Sequence, residues 1–167
     1  PTAPTVQPPT PQSDRDCLAE AIYFEGRGEQ REGQLAIAHV VLNRAAAKGN
    51  PKGACDVIRE GEELGKGKCQ FSWRCDGLAD VPRDKAAFAK AREVAEEVMV
   101  GREPDPTKGA LFYHTVSVKP AWAPKLQRVA RIGSHVFYLS DPTAGCAISR
   151  GWQKSNKIQG INSLTRA

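Results

Sequence analysis

The first apolar stripe of the chain has the spacing of one helix face and ends in a carboxylate. Its members stand at i, i+3, i+4 and i+7 and are Leu18, Ala21, Ile22 and Glu25. Ser13 can cap the start of this helix, and the glycines that follow the stripe are typical of a helix end. We therefore predict a helix over residues 13–24, with Glu25 at its C-terminus and on the core side.

A second helix, predicted over residues 31–47, is apolar nearly all round. Its stretch QLAIAHVVLN indicates a central, buried helix. Against such a helix Glu25 would be desolvated, and the negative end of its own helix also disfavours the charged carboxylate. These effects predict an acid that stays protonated near neutral pH, as a general acid requires. From spacing alone, the alternative is a surface glutamate paired with Arg27 or Arg31.

The rest of the pattern predicts one more long helix and a small sheet. The helix is expected over residues 83–100, after a glycine-rich loop at 61–77. Residues 110–114 and 134–139 are short aromatic and β-branched runs, which indicates two paired strands. The segment between them, which carries Trp122 between two prolines, is expected to be a loop. The predicted fold class is mostly α (α+β), a helical domain with an antiparallel sheet of two or three strands.

The chain divides into three segments by composition. Residues 1–12 are rich in Pro and Thr and are expected to form a flexible leader. Residues 13–140 form the predicted domain, and residues 141–167 an expected C-terminal extension. No stretch has the roughly 18 consecutive apolar residues of a membrane span, so none is expected. No secretory signal pattern is present, which is consistent with a mature or trimmed form.

The formal net charge of +5 favours a polyanionic partner. The Lys and Arg residues are scattered, without a tract of five or more, so no nucleic-acid partner is expected. An anionic cell wall or an acidic polysaccharide fits the charge equally well. The chain is expected to be a monomer.

Five cysteines stand at positions 17, 55, 69, 75 and 146. Cys69 and Cys75 can close a small disulfide ring in the glycine-rich loop. A zinc site is disfavoured because the matching Cys or His pairs are missing, and no metal or other cofactor is expected. A disulfide-bearing, exported protein is the favoured interpretation, with at least one cysteine left over.

Five motifs, in this order, resemble those of the SleB-like (spore-cortex-lytic) cell-wall hydrolases. They are IYFEGRGE, EGQLAIAHVVLNR, CQFSWRCDG, GALFYH and IGSHVFY. The family resembles goose-type lysozymes and lytic transglycosylases, which implies a lysozyme-like helical domain with a cleft. The resemblance also implies that the chain binds peptidoglycan and cleaves its glycan strands between N-acetylmuramic acid and N-acetylglucosamine, typically as a lytic transglycosylase. It further favours a location in the periplasm or cell envelope, or outside the cell.

The same resemblance implies a set of site residues. The family's catalytic glutamate corresponds to Glu25, in agreement with the argument from helix spacing. The implied substrate-binding residues are Gln70, Phe71, Ser72, Trp73, Tyr113, His114 and Trp122. From the residues alone, Phe71 and Trp73 could equally be packing aromatics, and Tyr113 a core residue of its strand.

Two mechanisms and one non-catalytic function remain open. Hydrolysis by a muramidase uses a second carboxylate, for which the sequence offers Glu29, Glu32 and Asp76. A lytic transglycosylase needs one glutamate, which protonates the glycosidic oxygen and then takes a proton from the sugar's own 6-hydroxyl. A wall-binding module without activity has no need of a desolvated acid, so Glu25 favours an enzyme.

Overall fold

The computed structural model describes residues 12–47 and 53–140. Apart from Gln12, the predicted leader lies outside the described residues, as do the predicted C-terminal extension and Cys146. The elements in chain order are α1 (Asp14–Gly26), α2 (Arg31–Ala45), α3 (Ala54–Ile58), α4 (Lys85–Met99), β1 (Phe112–Thr115), β2 (Gln127–Ile132) and β3 (His135–Leu139). The prediction of a mostly helical fold with a small antiparallel sheet is confirmed. No helix in this part of the chain is both long and apolar enough to cross a membrane.

Capping side chains fix the starts of α1 and α4. Ser13 and Asp84 each accept a hydrogen bond from a backbone N–H of the first turn. α1 continues past its predicted end at Phe24 to Gly26. A Cβ atom at Gly26 would lie 3.1 Å from Cδ1 of Ile37 in α2. The two helices therefore approach closely at the point where Glu25 leaves α1.

α2 is the central helix, as predicted. One side packs with α1, α3 and α4 in a common apolar core. The other side places Ala36 and Val40 against Tyr113 and Phe137 of the sheet. Because α2 is covered on both sides, its sequence is apolar nearly all round.

The sheet has the strand order β1-β3-β2, and both pairs are antiparallel. The predicted pairing of the two aromatic runs is present as β1 with β3. The segment expected to be a loop contains β2, which the sequence analysis missed. Only Ile132 of β2 is buried, and an irregularity between Arg128 and Ala130 interrupts the register. This strand therefore lacks the regular alternation that identifies a strand in a sequence.

The two faces of the sheet carry different side chains, because successive residues of a strand point to opposite faces. The inner face, with Tyr113 and Phe137, packs on α2. The outer face carries Phe112, Val136 and Tyr138, and the segment that leads into β2 covers it with Trp122. This division decides which of the candidate residues can approach Glu25.

Two disulfides connect parts of the helical region. The predicted pair, Cys69 and Cys75, closes a ring in the loop before α4. Cys17 and Cys55 form a second disulfide, not anticipated from the sequence, that joins α1 to α3 across a sequence separation of 38 residues. A cross-link over so long a loop restricts the unfolded chain and so stabilises the packing of α1.

Candidate active site

Glu25 lies in the last turn of α1, and only 7% of its surface is exposed. Burial raises its pKa from the ordinary 4.5 to about 7. The hydrogen bond from Tyr113, the nearby indole N–H of Trp73 and the charge of Arg44 all favour the carboxylate, but desolvation outweighs them. At neutral pH the side chain is therefore close to half protonated, in agreement with the raised pKa expected from its position.

The alternative of a surface glutamate paired with a neighbouring arginine does not hold. Arg27 lies over the ring of Tyr23 and 3.7 Å from the carboxylate of Asp84. Arg31 donates hydrogen bonds to the carboxylates of Glu97 and Glu103 at the surface. Both arginines are thus engaged elsewhere.

Tyr113 is the closest partner of the Glu25 carboxyl. Its hydroxyl donates a hydrogen bond to Oε2 of Glu25 at 3.0 Å. The ring is fully buried in the inner-face core, and burial followed by the charge of Glu25 raises the pKa of Tyr113 well above 10. Tyr113 therefore keeps its proton and remains a donor to the carboxyl at all ordinary pH values.

Trp73 also borders the carboxyl of Glu25, and it belongs to the ring closed by the disulfide between Cys69 and Cys75. It is 6% exposed and stacks on Phe24 of α1, with ring centroids 4.6 Å apart. Its indole N–H approaches Glu25 closely enough to lower the pKa of the carboxyl, although the contact falls short of a full hydrogen bond. The Arg74 guanidinium covers the indole at 5.3 Å from the ring centroid. The ring closed by Cys69 and Cys75 contains both residues, so it fixes one wall of the site.

Arg44, at the end of α2, adds a buried positive charge that sequence reasoning did not assign to the site. Its Nε donates to the backbone oxygen of Leu111 at 2.7 Å, and its guanidinium lies over the ring of Phe112. Burial lowers the pKa of Arg44 to about 10, while the negative charge of Glu25 acts in the opposite direction. The only signal in the sequence was an arginine closing an otherwise apolar helix.

Glu29 connects the turn between α1 and α2 to the turn between β2 and β3. It accepts hydrogen bonds from the backbone N–H and the hydroxyl of Ser134, and Oε1 lies 3.3 Å from Nδ1 of His135. The close approach requires Gly133, whose φ is +56° and where a Cβ atom would lie 1.9 Å from Oε2 of Glu29. The ring of His135 in turn packs edge-on against Tyr113. Glu29 thus supports the start of β3, where His135 packs on the partner of Glu25.

His135 is buried beside this carboxylate, and its burial was not predicted. Desolvation lowers its pKa, and Glu29 opposes that effect. At neutral pH His135 is therefore mainly neutral, and its contact with Glu29 is a hydrogen bond more than an ion pair.

The other implied residues of the disulfide ring differ in their exposure. Phe71 is 1% exposed and belongs to the helical core, whereas Ser72 is exposed. Gln70 is buried, and its backbone N–H donates to the oxygen of Glu60 at 2.8 Å. The side-chain Nε2 of Gln70 has no hydrogen-bond partner among the described residues. Ser72 is thus accessible, the amide nitrogen of Gln70 is unpaired, and Phe71 is enclosed in the core.

His114 and Trp122 lie on the outer face of the sheet, opposite to Tyr113. Nε2 of His114 is 2.9 Å from the hydroxyl of Tyr138, and its ring stands 5.6 Å from that of Trp122. Strand alternation separates them from Tyr113, which faces Glu25. The structure therefore places His114 and Trp122 on the side of the sheet away from the carboxyl of Glu25, and their contact with substrate stays a prediction.

Within residues 12–47 and 53–140, no three His, Cys, Asp or Glu side chains are grouped so that they could hold a metal ion. Among the titratable groups of the described residues, Tyr113 and Arg44 are the two that shift the pKa of Glu25. This arrangement, a desolvated acid with one buried donor and one buried cation, can deliver a proton and take one back.

Among solved structures, the catalytic domain of the Bacillus cereus SleB protein has this fold. Its TM-score is 0.57 at 27% sequence identity, and the match covers 82% of this chain and 98% of that chain. The catalytic domain of the germination-specific lytic transglycosylase SleB from Bacillus anthracis gives a TM-score of 0.53 at 27% identity, covering 78% and 99%. The fold is that of the SleB catalytic domains.

Proteins of similar sequence are also lytic enzymes. The spore cortex-lytic enzyme of Bacillus subtilis is 32% identical over 126 residues, and that of Oceanobacillus iheyensis 33% over 128 residues, each match covering 75% of this chain. The matches span 37% and 41% of the length of those two proteins. The cell wall hydrolase family matches residues 28–138, and the chain belongs to this family. The family match begins just after Glu25, so the proposal that Glu25 is the catalytic acid depends on its burial and its contacts in the structure.

Proposed function

We propose that the chain cleaves the glycan strands of peptidoglycan between N-acetylmuramic acid and N-acetylglucosamine, as a lytic transglycosylase. The observation that carries this proposal is the buried Glu25, with a pKa of about 7 and a hydrogen bond from Tyr113. Membership of the cell wall hydrolase family supports the wall as the substrate. The lytic transglycosylase named among the solved structures supports the reaction type.

In the first step Glu25 acts as the general acid. Its proton passes to the glycosidic oxygen as the bond from that oxygen to C1 of the muramic acid breaks, so the leaving sugar departs with a hydroxyl. Because Tyr113 donates to Oε2, we assign the proton transfer to Oε1. Once Glu25 is charged, the Tyr113 hydroxyl and the Arg44 guanidinium stabilise the carboxylate.

In the second step the same carboxylate acts as the general base. It removes the proton from the 6-hydroxyl of the muramic acid while O6 bonds to C1, which closes a 1,6-anhydro ring and restores the protonated Glu25. A tethered hydroxyl has the advantage of an intramolecular nucleophile over water. A pKa near 7 suits both steps, because neither protonation state is strongly disfavoured.

The surroundings of the other carboxylates support a mechanism with a single acid. In the described part of the chain, no carboxylate is among the groups that shift the pKa of Glu25. Glu29 is held by Ser134 and His135, and Glu32 and Asp76 are exposed. A muramidase that activates water through one of these three acids remains the alternative.

Around this acid, we assign sugar contacts to the disulfide ring. Ser72 is exposed, Gln70 has a buried amide nitrogen without a partner, and Trp73 borders Glu25, so these three are the proposed substrate-binding residues. We assign Tyr113 the role of positioning the catalytic acid, because its hydroxyl donates a hydrogen bond to the Glu25 carboxyl. The two disulfides support export to an oxidising compartment such as the cell envelope.

The test is the release of labelled fragments from purified peptidoglycan. Glu25→Gln keeps the shape of the side chain but removes the proton donor, so the rate should fall by about a hundredfold or more. Glu93→Gln, which removes an exposed carboxylate of α4 that is not a candidate second acid, is the matched control and should retain the rate. Near-normal release by Glu25→Gln would exclude Glu25 as the acid, and no release by the unaltered chain would exclude the proposed function.

A further inference from the structure

The charges of this chain are divided between its helical part and its sheet. Residues 12–105 contain fifteen Lys and Arg against eighteen Asp and Glu. Residues 107–140, which include the whole sheet, contain five Lys and Arg and no Asp or Glu. The sheet region is therefore positive while the helical region carrying Glu25 is slightly negative.

Two of these five cations lie on the outer face of the sheet, and two more lie within three residues of the tryptophan that packs on this face. The register sets Arg128 opposite Tyr138 and Arg131 opposite Val136, and both partners belong to the outer-face cluster. Paired residues of an antiparallel sheet point to the same face, so both arginines do as well. Two lysines flank Trp122, which packs on that face. We define the outer cationic face as Lys119, Lys125, Arg128 and Arg131.

No acidic residue in the described part of the chain neutralises the outer cationic face. All four side chains are exposed, and none forms an ion pair with a residue of the described ranges. Below them Trp122, His114 and Tyr138 form a packed aromatic layer that fixes the backbone. The cations are thus presented on a rigid support.

We propose that the outer cationic face binds the free carboxylates of peptidoglycan stem peptides. This inference rests on the proposed function, and it adds a second contact with the wall beyond the glycan cleft. Stem peptides extend from the glycan strands and carry carboxylates at several positions, so they complement a surface with four cations and no acid. Guanidinium groups match carboxylates with two parallel hydrogen bonds, and two of the four residues are arginines.

The position of the face determines which peptides it can reach. Tyr113 points from the inner side of the sheet to Glu25, so the outer cationic face lies on the opposite side of the sheet. It therefore contacts peptides of a neighbouring strand, or of a distant part of the same strand, while Glu25 engages the bond to be cut. Attraction of this kind raises the local concentration of enzyme at the wall and weakens with salt.

The test measures binding to purified peptidoglycan in a Glu25→Gln background, so that no cleavage occurs. The face variant replaces all four cations by glutamine, as Lys119→Gln, Lys125→Gln, Arg128→Gln and Arg131→Gln. The control variant makes the same change of charge at exposed positions of the helical region, as Arg83→Gln, Lys85→Gln, Lys90→Gln and Arg102→Gln. Cosedimentation is measured at about 50 and about 300 mM salt, where the screening length differs by a factor of about two.

The face variant should bind about tenfold more weakly than its parent at low salt, from four exposed charge contacts of a few tenths of a kcal/mol each, and should lose most of the salt dependence. The control variant should bind like the parent. Peptidoglycan whose carboxylates have been converted to amides should bind the parent as weakly as native peptidoglycan binds the face variant.

Equal binding by the face and control variants would overturn the proposal. So would undiminished binding to amidated peptidoglycan, or a preference for anionic lipid vesicles or DNA over peptidoglycan. Failure of the proposed function gives a different result, since it is measured as absence of fragment release by the unaltered chain, whatever the face variant binds.

Discussion

Two opposing effects set the protonation of Glu25 at the scale of single residues. Burial disfavours the carboxylate, and the Tyr113 hydroxyl together with the Arg44 charge favours it. The balance gives a pKa of about 7. Burial without these partners would leave an acid too weak to be deprotonated again, and the partners without burial would leave a permanently charged group.

Replacing Tyr113 by phenylalanine should raise the pKa of Glu25 further, because it removes a donor that stabilises the carboxylate. The alkaline limb of the kcat/KM profile should move to higher pH by up to about one unit, and the maximal rate should fall by about tenfold. The matched control is Tyr138→Phe, whose hydroxyl contacts His114 on the outer face. An unchanged alkaline limb in Tyr113→Phe, or the same shift in both variants, would contradict the assigned role.

The raised pKa of Glu25 also makes the stability of the fold depend on pH. The folded protein binds this proton more tightly than the unfolded chain, so the stabilisation is complete below pH 4.5 and is lost as pH rises through about 7. Between pH 5 and 8 the wild-type chain should lose about 2–3 kcal/mol of unfolding free energy that Glu25→Gln does not lose. Urea unfolding of both proteins at the two pH values measures the difference. Parallel losses in the two proteins would show that Glu25 is not desolvated.

At the scale of elements, one side chain joins the helices to the sheet. Glu29 follows α1 and accepts hydrogen bonds from Ser134 in the turn between β2 and β3. His135 at the start of β3 then packs on Tyr113. The strand end that positions Tyr113 is thus held by contacts outside the catalytic pair.

Glu29→Gln should therefore lower stability and leave the chemistry in place. Loss of the charged acceptor should reduce the unfolding free energy by about 1–3 kcal/mol, while the rate well below the melting temperature stays within a few-fold of wild type. Thermal unfolding and fragment release are measured together, with Glu32→Gln as the exposed control. A stable Glu29→Gln protein without activity would instead identify Glu29 as a second catalytic acid.

The helices and the strands differed in how well the sequence predicted them. α1 has an apolar stripe after a capping serine, and α2 has a long apolar run, so the type and burial of both helices could be predicted from the sequence. β2 has one buried residue and an interrupted register, and its stability comes from pairing with β3. The two strands are joined by a two-residue turn, Gly133-Ser134, and this Gly-Ser pair is the hairpin signal that the sequence analysis missed.

At the scale of the whole molecule, a site residue could be predicted where its own helix determines its position, and could not be predicted where distant contacts determine it. Glu25 follows from helix spacing because one helix face determines its direction. The distinction between Tyr113 and His114 depends on which face of the sheet turns inward, and only packing on α2 determines that. Arg44 and His135 are buried polar residues whose partners are 67 and 106 positions away. Their roles emerge only from the assembled fold.

The most direct test of a single catalytic glutamate is the mass of the released muropeptides. If Glu25 acts alone, the products should end in 1,6-anhydro-muramic acid, which is lighter by one water than the reducing end left by hydrolysis. Digests by wild type, Glu29→Gln, Glu32→Gln and Asp76→Asn should all contain the anhydro ends, and Glu25→Gln should release almost nothing. A wild-type digest dominated by reducing ends, with loss of activity in one of the other three variants, would contradict the mechanism and establish a two-acid muramidase.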